Sequence, residues 1–285
     1  MKENRLIFPI KKMAPVLKIS RSRYYKWLKN PVSSRSVDDD MYKILIEQIF
    51  DNMKKRYGSP RIHSELRSMG YRLSKKRVAR LMKEKGLEAR PKRHFKTTTN
   101  SHHDNAVAPN LLMQDFTSSG PNKVWASDIT YIRTQEGWLY LCVIIDLYSR
   151  KVVGWSFSKH IDTALVCASL RMALLQRSPM DGLIFHSDRG VQYTAKAFRK
   201  LTLRNNIQQS MSSKGNCYDN ACVESFFAQL KLEEVYNTTY KARNDARVKI
   251  FEYIATFYNR IRRHSALDYV SPDEYELRSE NQNAA

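Results

Sequence analysis

VWASDITYIRTQEGWLYLCVIIDLYSRKVVGWSFS, residues 124–158, is the stretch on which the fold turns. Three runs rich in β-branched and aromatic residues, VWASDITYI, WLYLCVIIDLYS and KVVGWSFS, are separated by short polar breaks, the first of them ending in Glu136-Gly137. That spacing predicts three consecutive antiparallel strands. Downstream the pattern predicts a helix near Asp162 to Arg177, a strand in GLIFHSDRG (182–190), and a helix near Thr194 to Arg204. A short strand in IQQSMSS (207–213) and a long helix from about Asn220 follow. The order βββαβαβα specifies an α/β layered fold with a mixed sheet.

Upstream the periodicity is helical. Residues 10–29 read as two short helices, with Ser20 capping the second, so that residues 1–33 form a small helix-turn-helix. PVSSRSVDDD (31–40) reads as a linker into an amphipathic helix from about Asp40 to Met53. In YGSPRIHSELRSMGYRLSKKRVARLMKEKGL (57–87), Ser59 is placed to cap a helix with Pro60 in its first turn, and Gly70 to end it. Ser74 opens the next helix and Gly86 closes it. Ile62, Leu66 and Met69 share a face, as do Val78, Leu81 and Met82, which leaves Lys75, Lys76, Arg77, Arg80 and Lys83 outside. Residues 34–90 therefore read as a second helix-turn-helix with a basic second helix; an ordinary solvated hairpin gives the same pattern. Residues 91–122 are polar and aperiodic and read as a linker, 123–240 as the α/β core, and 241–285 as a basic helical tail.

The 285 residues are 42% hydrophobic and 27% charged, which excludes a largely disordered chain. Lys and Arg number 49 against 28 Asp and Glu, a net +21, and 27 of those cations against 11 acids fall in residues 1–122. A surplus of this size points to a polyanion, and beside two helical hairpins it points to DNA. The longest apolar run, Leu139 to Ile145, is far short of the ~20 residues that span a bilayer. No signal-like stretch opens the chain, so a soluble, cytoplasmic protein without membrane partners is expected. Four cysteines (Cys142, Cys167, Cys217, Cys222) form no Cys-x-x-Cys pair and read as reduced packing residues.

Three carboxylates stand out. Asp128 interrupts an apolar strand, where an unpaired charge costs several kcal/mol. Asp188 ends GLIFHSD, where a parallel strand delivers side chains to a cleft. Glu224 shares a helix face with Asn220, Ala228 and Lys231. Singly, each has a plain reading as a cap, a turn residue or a surface acid. Together they would repel unless cations lay between them, and hard oxygen donors select Mg2+ or Mn2+. Two ions about 4 Å apart suit in-line phosphoryl displacement.

The set WASDITYI (125–132), HSDRGVQY (186–193) and SMSSKGNCYDNACVESFFAQLKLE (210–233) resembles the DDE transposases of the retroviral integrase superfamily, most closely the second-frame protein of insertion sequence family three. The spacing matches that family's signature: 59 residues separate Asp128 from Asp188, 35 separate Asp188 from Glu224, and Lys231 follows the glutamate by seven. The likeness runs from RYYKWL (23–28) to YNRIRRHSALDYVSP (258–272). It implies a ribonuclease-H-like integrase core with N-terminal all-α modules. It implies Asp128, Asp188 and Glu224 as catalytic ligands of two Mg2+ or Mn2+ ions, and Lys231 facing the transposon end. His186, Gln192 and the 213–220 loop, including Lys214 and Asn220, become candidate DNA contacts. His186 on an apolar strand equally reads as a hydrogen-bonded structural residue, and Asn220 as a carboxylate-orienting residue or a helix cap.

In the tail, Arg262, Arg263 and His264 read as a phosphate contact, and Phe251, Tyr253, Phe257 and Tyr258 as packing rather than base-stacking residues. No zinc site and no leucine zipper is expected. The resemblance further implies 3′-end cleavage and strand transfer through a figure-eight and a circular intermediate, a homo-oligomer on double-stranded DNA, an upstream-frame partner, and a nucleoid-associated place in a bacterial cytoplasm. The Met1 start reads as the unfused second-frame product. The rival readings are a DNA-binding regulatory subunit without catalysis and a ribonuclease H.

Overall fold

The computed structural model describes residues 1–29, 34–89, 108–213 and 220–283, which fall into two compact units divided near residue 90. The first is all helical: α1 (Ile10–Val16), α2 (Arg21–Lys29), α3 (Ser34–Asn52), α4 (Ser59–Ser68) and α5 (Lys75–Glu84). Ser20 accepts a hydrogen bond from the Arg23 amide at 3.2 Å and caps α2 as expected. Ser74 does the same for α5, from the Arg77 amide. Gly70, at φ +90, turns the chain out of α4 while the Tyr71 amide reaches back to the Leu66 carbonyl, the left-handed stop that glycine adopts without strain. Ile46, Phe50, Tyr57, Ile62, Leu66, Val78 and Leu81 form its core, each at most 2% exposed.

Three expectations for this unit need correction. The long helix begins at Ser34 rather than Asp40, within the stretch read as linker. Its acids lie beyond the first turn, and Asp39 is fixed by ion pairs to Arg77 and Arg80 at 2.7 and 2.6 Å. Gly58, not Ser59, holds the cap position of α4. Met69 lies past the end of α4 and is 56% exposed rather than packed.

The second unit is built on a five-stranded sheet in the order β3-β2-β1-β4-β5. Its strands are β1 (Val124–Thr134), β2 (Gly137–Asp146), β3 (Val152–Ser158), β4 (Ile184–Ser187) and β5 (Gln208–Met211). β1, β2 and β3 pair antiparallel, and β4 runs parallel to both β1 and β5, so the sheet is mixed as the sequence predicts. One face packs on α6 (Thr163–Arg177), α7 (Val191–Thr194) and α8 (Lys196–Arg204), with Trp125, Ile144, Leu170, Phe185, Tyr193 and Phe198 in the shared core. Gly154 of β3 lets α6 approach closely: a Cβ there would lie 2.5 Å from the Ser169 carbonyl oxygen. Against β1 and β2 lie α9 (Ala221–Glu233) and α10 (Arg243–Glu252). A π-helical turn, Tyr253–Tyr258, and α11 (Pro272–Asn283) complete the chain.

Neither flank of the core is an appendage. Residues 109–112 of the expected linker lie on β5, with the Met211 amide donating to the Pro109 carbonyl and the Leu111 amide to the Ser210 hydroxyl. Leu112 is 6% exposed, and its burial was hidden by the polar composition around it. Residues 91–107 lie outside the described residues. In the expected tail, Asn259 pairs with both backbone groups of Val152 on β3, and Glu276 takes a bidentate grip from Arg177 at 2.8 and 2.9 Å. Tyr253, Phe257 and Tyr258 are buried, as the packing reading required, but Phe251 is 53% exposed and its ring meets only Trp155, at 6.0 Å between centres. Among the described residues no helix is long and apolar enough to cross a membrane.

Candidate active site

Asp128 and Asp188 meet because of register. β1 and β4 pair Val124 with Ile184 through Ser127 with Ser187, an offset of 60 residues, and one more step sets Asp128 beside Asp188. Paired positions on adjacent strands lie about 4.8 Å apart, and equal parity sends both side chains to one face. Asp128 Oδ1 accepts the Ile129 amide at 2.7 Å, and Asp188 Oδ1 accepts the Gly190 amide at 3.0 Å. Gly190 itself is hemmed in: a Cβ there would lie 3.0 Å from Asp188 Oδ1 and 2.9 Å from Gln192 Oε1. Gln192 and the second aspartate thus flank Gly190.

The third carboxylate arrives on α9. Asn220, 5% exposed at the head of this helix, donates its Nδ2 to the Ser127 carbonyl at 3.1 Å, which ties α9 to β1 one residue from Asp128. Asn220 is therefore a positioning residue, and its side chain makes no cap. Glu224 follows one turn later. Burial raises the Asp128 carboxyl well above the usual range, and the negative charges of Asp188 and Glu224 raise it further. Burial also raises Glu224. Lys231, on the last turn of α9, is lowered by burial despite the opposing pull of Asp128, and its Nζ stands 5.1 Å from the centre of the Tyr131 ring.

A carboxyl raised by two others is a site short of positive charge. Three oxygen donors with no thiolate or imidazole among them fit a hard divalent cation. As placed, the carboxylates are near enough to interact but are not drawn around one point, since among the described residues no three His, Cys, Asp or Glu groups gather closely enough to hold an ion. Mutual repulsion holds such groups apart.

Other candidates divide. Lys75, Lys76, Arg80 and Lys83 are exposed on α5. Arg77 is not: besides its pair with Asp39 it lies over the Tyr42 ring at 5.0 Å, so it joins α5 to α3 and is removed from the DNA contacts. His186 is fully buried, with its ring nitrogens 2.8 and 3.2 Å from the Ser210 and Ser212 hydroxyls, and it ties β4 to the β5 segment instead of meeting substrate. Arg262 is likewise overturned as a phosphate contact. It is 0% exposed and bonded through two nitrogens to Glu233, at 2.7 to 3.1 Å. Arg263, partly buried, donates to the Tyr269 carbonyl at 2.9 Å. Lys214 lies outside the described residues.

Sequence reasoning missed Tyr193. Its hydroxyl shares a 2.9 Å hydrogen bond with the Ser127 hydroxyl inside the core, which ties the turn after Asp188 to the strand carrying Asp128. An aromatic residue five positions after Asp188, beside a hydroxyl one position before Asp128, was the available signal.

Family models match in the same places. The integrase core domain matches residues 118–217, a further integrase core domain model matches 205–272, and the HTH-like domain matches 37–95. Transposase InsF for insertion sequence IS3A of Escherichia coli (strain K12) is 44% identical over 271 residues, covering 94% of each chain. The IS600 uncharacterized 31 kDa protein of Shigella sonnei is 44% identical over 260 residues, covering 91% of this chain and 96% of its own. The HTLV-2 integrase catalytic core domain aligns at 16% identity and a TM-score of 0.43, over 55% of this chain and 98% of that one. With nearly full-length identity of this order, and with integrase core and HTH-like domains where the two units lie, the chain belongs to the IS3 transposases.

Proposed function

We propose that Asp128, Asp188 and Glu224 are the metal-binding catalytic residues of a DNA transposase that cleaves the element's 3′ end and transfers that strand to a second phosphodiester. The observation that carries this reading is the β1–β4 register, which sets Asp128 beside Asp188 while the charge of Glu224 reaches Asp128 from α9. Two Mg2+ or Mn2+ ions held by these three groups would lower the pKa of the attacking oxygen and stabilise the leaving one. The chain's own part is positioning. Asn220 and Tyr193 brace β1 from both sides, and Gly190 leaves room for Gln192 beside Asp188. Lys231 offers a cation along the helix that carries Glu224, facing the element's end. Lys75, Lys76 and Lys83 meet DNA phosphates through the helix-turn-helix; Arg80, though exposed, is already held by Asp39 and Glu84. Lys214 and Arg263 remain further DNA contacts in this reading, whereas Asn220 serves to position α9. Strand transfer between the element's own ends, giving a circular intermediate, requires two ends together, so the working form is an oligomer on DNA, with an upstream-frame protein as a possible companion.

An oligonucleotide assay with Mg2+ tests the assignment. Asp128→Asn, Asp188→Asn and Glu224→Gln are each expected to abolish cleavage and joining while leaving DNA affinity within a few-fold. Cleavage and joining that persist in all three variants would remove these carboxylates from catalysis, and a parent chain that binds the ends without cleaving them would leave a DNA-binding regulator.

A further inference from the structure

We propose that the outward face of α8 is a second DNA-binding surface, one that holds the sugar–phosphate backbone of flanking duplex without regard to sequence. The helix reads KAFRKLTLR, four cations in nine residues and no acid. Phe198 and Thr202 point into the core at 0% and 1% exposure, so the helix is firmly seated. Lys196, Arg199, Lys200 and Arg204 lie at i, i+3, i+4 and i+8 and are all exposed, a row of charge about 12 Å long at 1.5 Å per residue.

What separates this row from an ordinary solvated face is the company it lacks. Several cations elsewhere in the same unit meet acids, Lys151 with Asp273 and Glu276, Arg177 with Glu276, Arg243 with Glu136, Arg262 with Glu233 and Arg278 with Glu274; where others do not, they are not gathered four to a helix face as here. Among the described residues none of the four α8 cations has such a partner. Asp181, an acid near the end of α8, is engaged by Asn206 Nδ2 at 3.0 Å. Concentrated positive charge of this kind opposes a second copy of the same face and favours a polyanion.

The composition also argues against base reading. Asn205 turns its amide nitrogen back to the Leu201 carbonyl at 2.8 Å and Asn206 gives its own to Asp181, so neither points that group outward beside the cations. Leu203, 71% exposed, adds an aliphatic surface that suits deoxyribose. A face of this kind grips phosphates and carries no sequence information. It begins eight residues after Asp188, a separation short enough for the face to serve DNA that adjoins the reacting strand. The assignment rests on the catalytic reading above only for its purpose; the binding itself is testable alone.

The test uses the full chain, fluorescence anisotropy and a NaCl titration on two duplexes of equal length, one consisting only of the element's terminal sequence and one of unrelated sequence. The variant Lys196→Ala/Arg199→Ala/Lys200→Ala/Arg204→Ala should lower the slope of log K against log salt on the unrelated duplex by about 2 to 4, near 0.9 for each phosphate no longer neutralised. The slope on the terminal duplex should fall by a similar amount, because the face reads no sequence. Lys196→Arg/Lys200→Arg should behave as the parent, and the circular-dichroism melting curve should not move. If the quadruple variant melts early, Arg199→Ala/Lys200→Ala, expected to lower the slope by about 2, takes its place. An unchanged slope on unrelated duplex overturns the proposal. So does a reduction confined to the terminal duplex, or one seen with RNA but not DNA. Asp128→Asn separates the two readings, because it should stop joining and leave this slope untouched.

Discussion

Replacing Arg262 by alanine should unfold the catalytic unit before it alters DNA binding. The guanidinium is 0% exposed and Glu233, its partner on the last residue of α9, is 3% exposed. Tyr253 also donates its hydroxyl to Glu233, at 2.9 Å, and Arg262 lies 5.7 Å from the Tyr258 ring centre. Burial opposes the charge on Arg262, but Glu233, aided by Tyr253 and Tyr258, outweighs it and holds the guanidinium charged. Arg262→Ala deprives the buried Glu233 carboxylate of its guanidinium partner, and breaking such a pair costs roughly 3 to 5 kcal/mol. At about 2 to 4 °C per kcal/mol for a unit of this size, the melting temperature should fall by roughly 6 to 20 °C. Glu233→Leu/Arg262→Met removes both charges and should recover most of that loss, leaving about 1 to 3 kcal/mol for the stranded Tyr253 hydroxyl. Adding Tyr253→Phe should remove the remainder. Thermal and urea unfolding read these differences, and the DNA salt slope is the counter-test. A melting point within about 2 °C of the parent, with a slope lowered by about one, would return Arg262 to the DNA interface and refute the buried-pair account.

Gly154→Ala should cost about 1 to 3 kcal/mol in urea unfolding, since its methyl would meet Ser169 and Ala173 of α6; no measurable loss would mean that α6 moves aside. On α5, Lys75→Ala/Lys76→Ala/Lys83→Ala should lower the DNA salt slope by up to about 2.7 without shifting the melting curve. Arg77→Ala should do the reverse, because that side chain is bound to Asp39 and Tyr42. Glu276 supplies a pH dependence. Burial alone would raise its carboxyl, but hydrogen bonds from Arg177 and Ser149 and the charges of Arg177 and Lys151 leave it below the usual range. A lowered folded value stabilises fully above the unfolded pKa of about 4.3 and is lost as pH falls through the folded one. The urea midpoint of the parent should therefore exceed that of Glu276→Gln at neutral pH and converge with it in acid; a gap that widens in acid would reverse the sign.

Periodicity made the sheet readable: the three β1–β3 runs each bury one face or both, so their apolar residues crowd into short blocks that local pattern exposes. It said little about α3, whose first turns are Ser, Arg and Asp and acquire their meaning only when Asp39 meets α5. The clasp formed by the last forty-odd residues was equally hidden, for its key side chains are Asn259, Arg262 and Glu276, polar groups that sequence alone assigns to solvent. Each is buried by a partner about a hundred residues away or on another helix, and no local window contains both halves.

The same asymmetry governs the functional site. A carboxylate inside an apolar strand needs a reason to be there, so Asp128 and Asp188 advertise themselves, and the common 60-residue offset of β1 and β4 turns two separate oddities into one place. A cation carries no such signature. Arg262 in a conspicuous Arg-Arg-His cluster proves to be a strut, Arg77 on a basic helix proves to be a hinge pin, and α8, inconspicuous in sequence, exposes four cations with no acid set against them among the described residues. Positive charge therefore becomes evidence for nucleic acid only after the acids around it have been located, and that subtraction requires the fold.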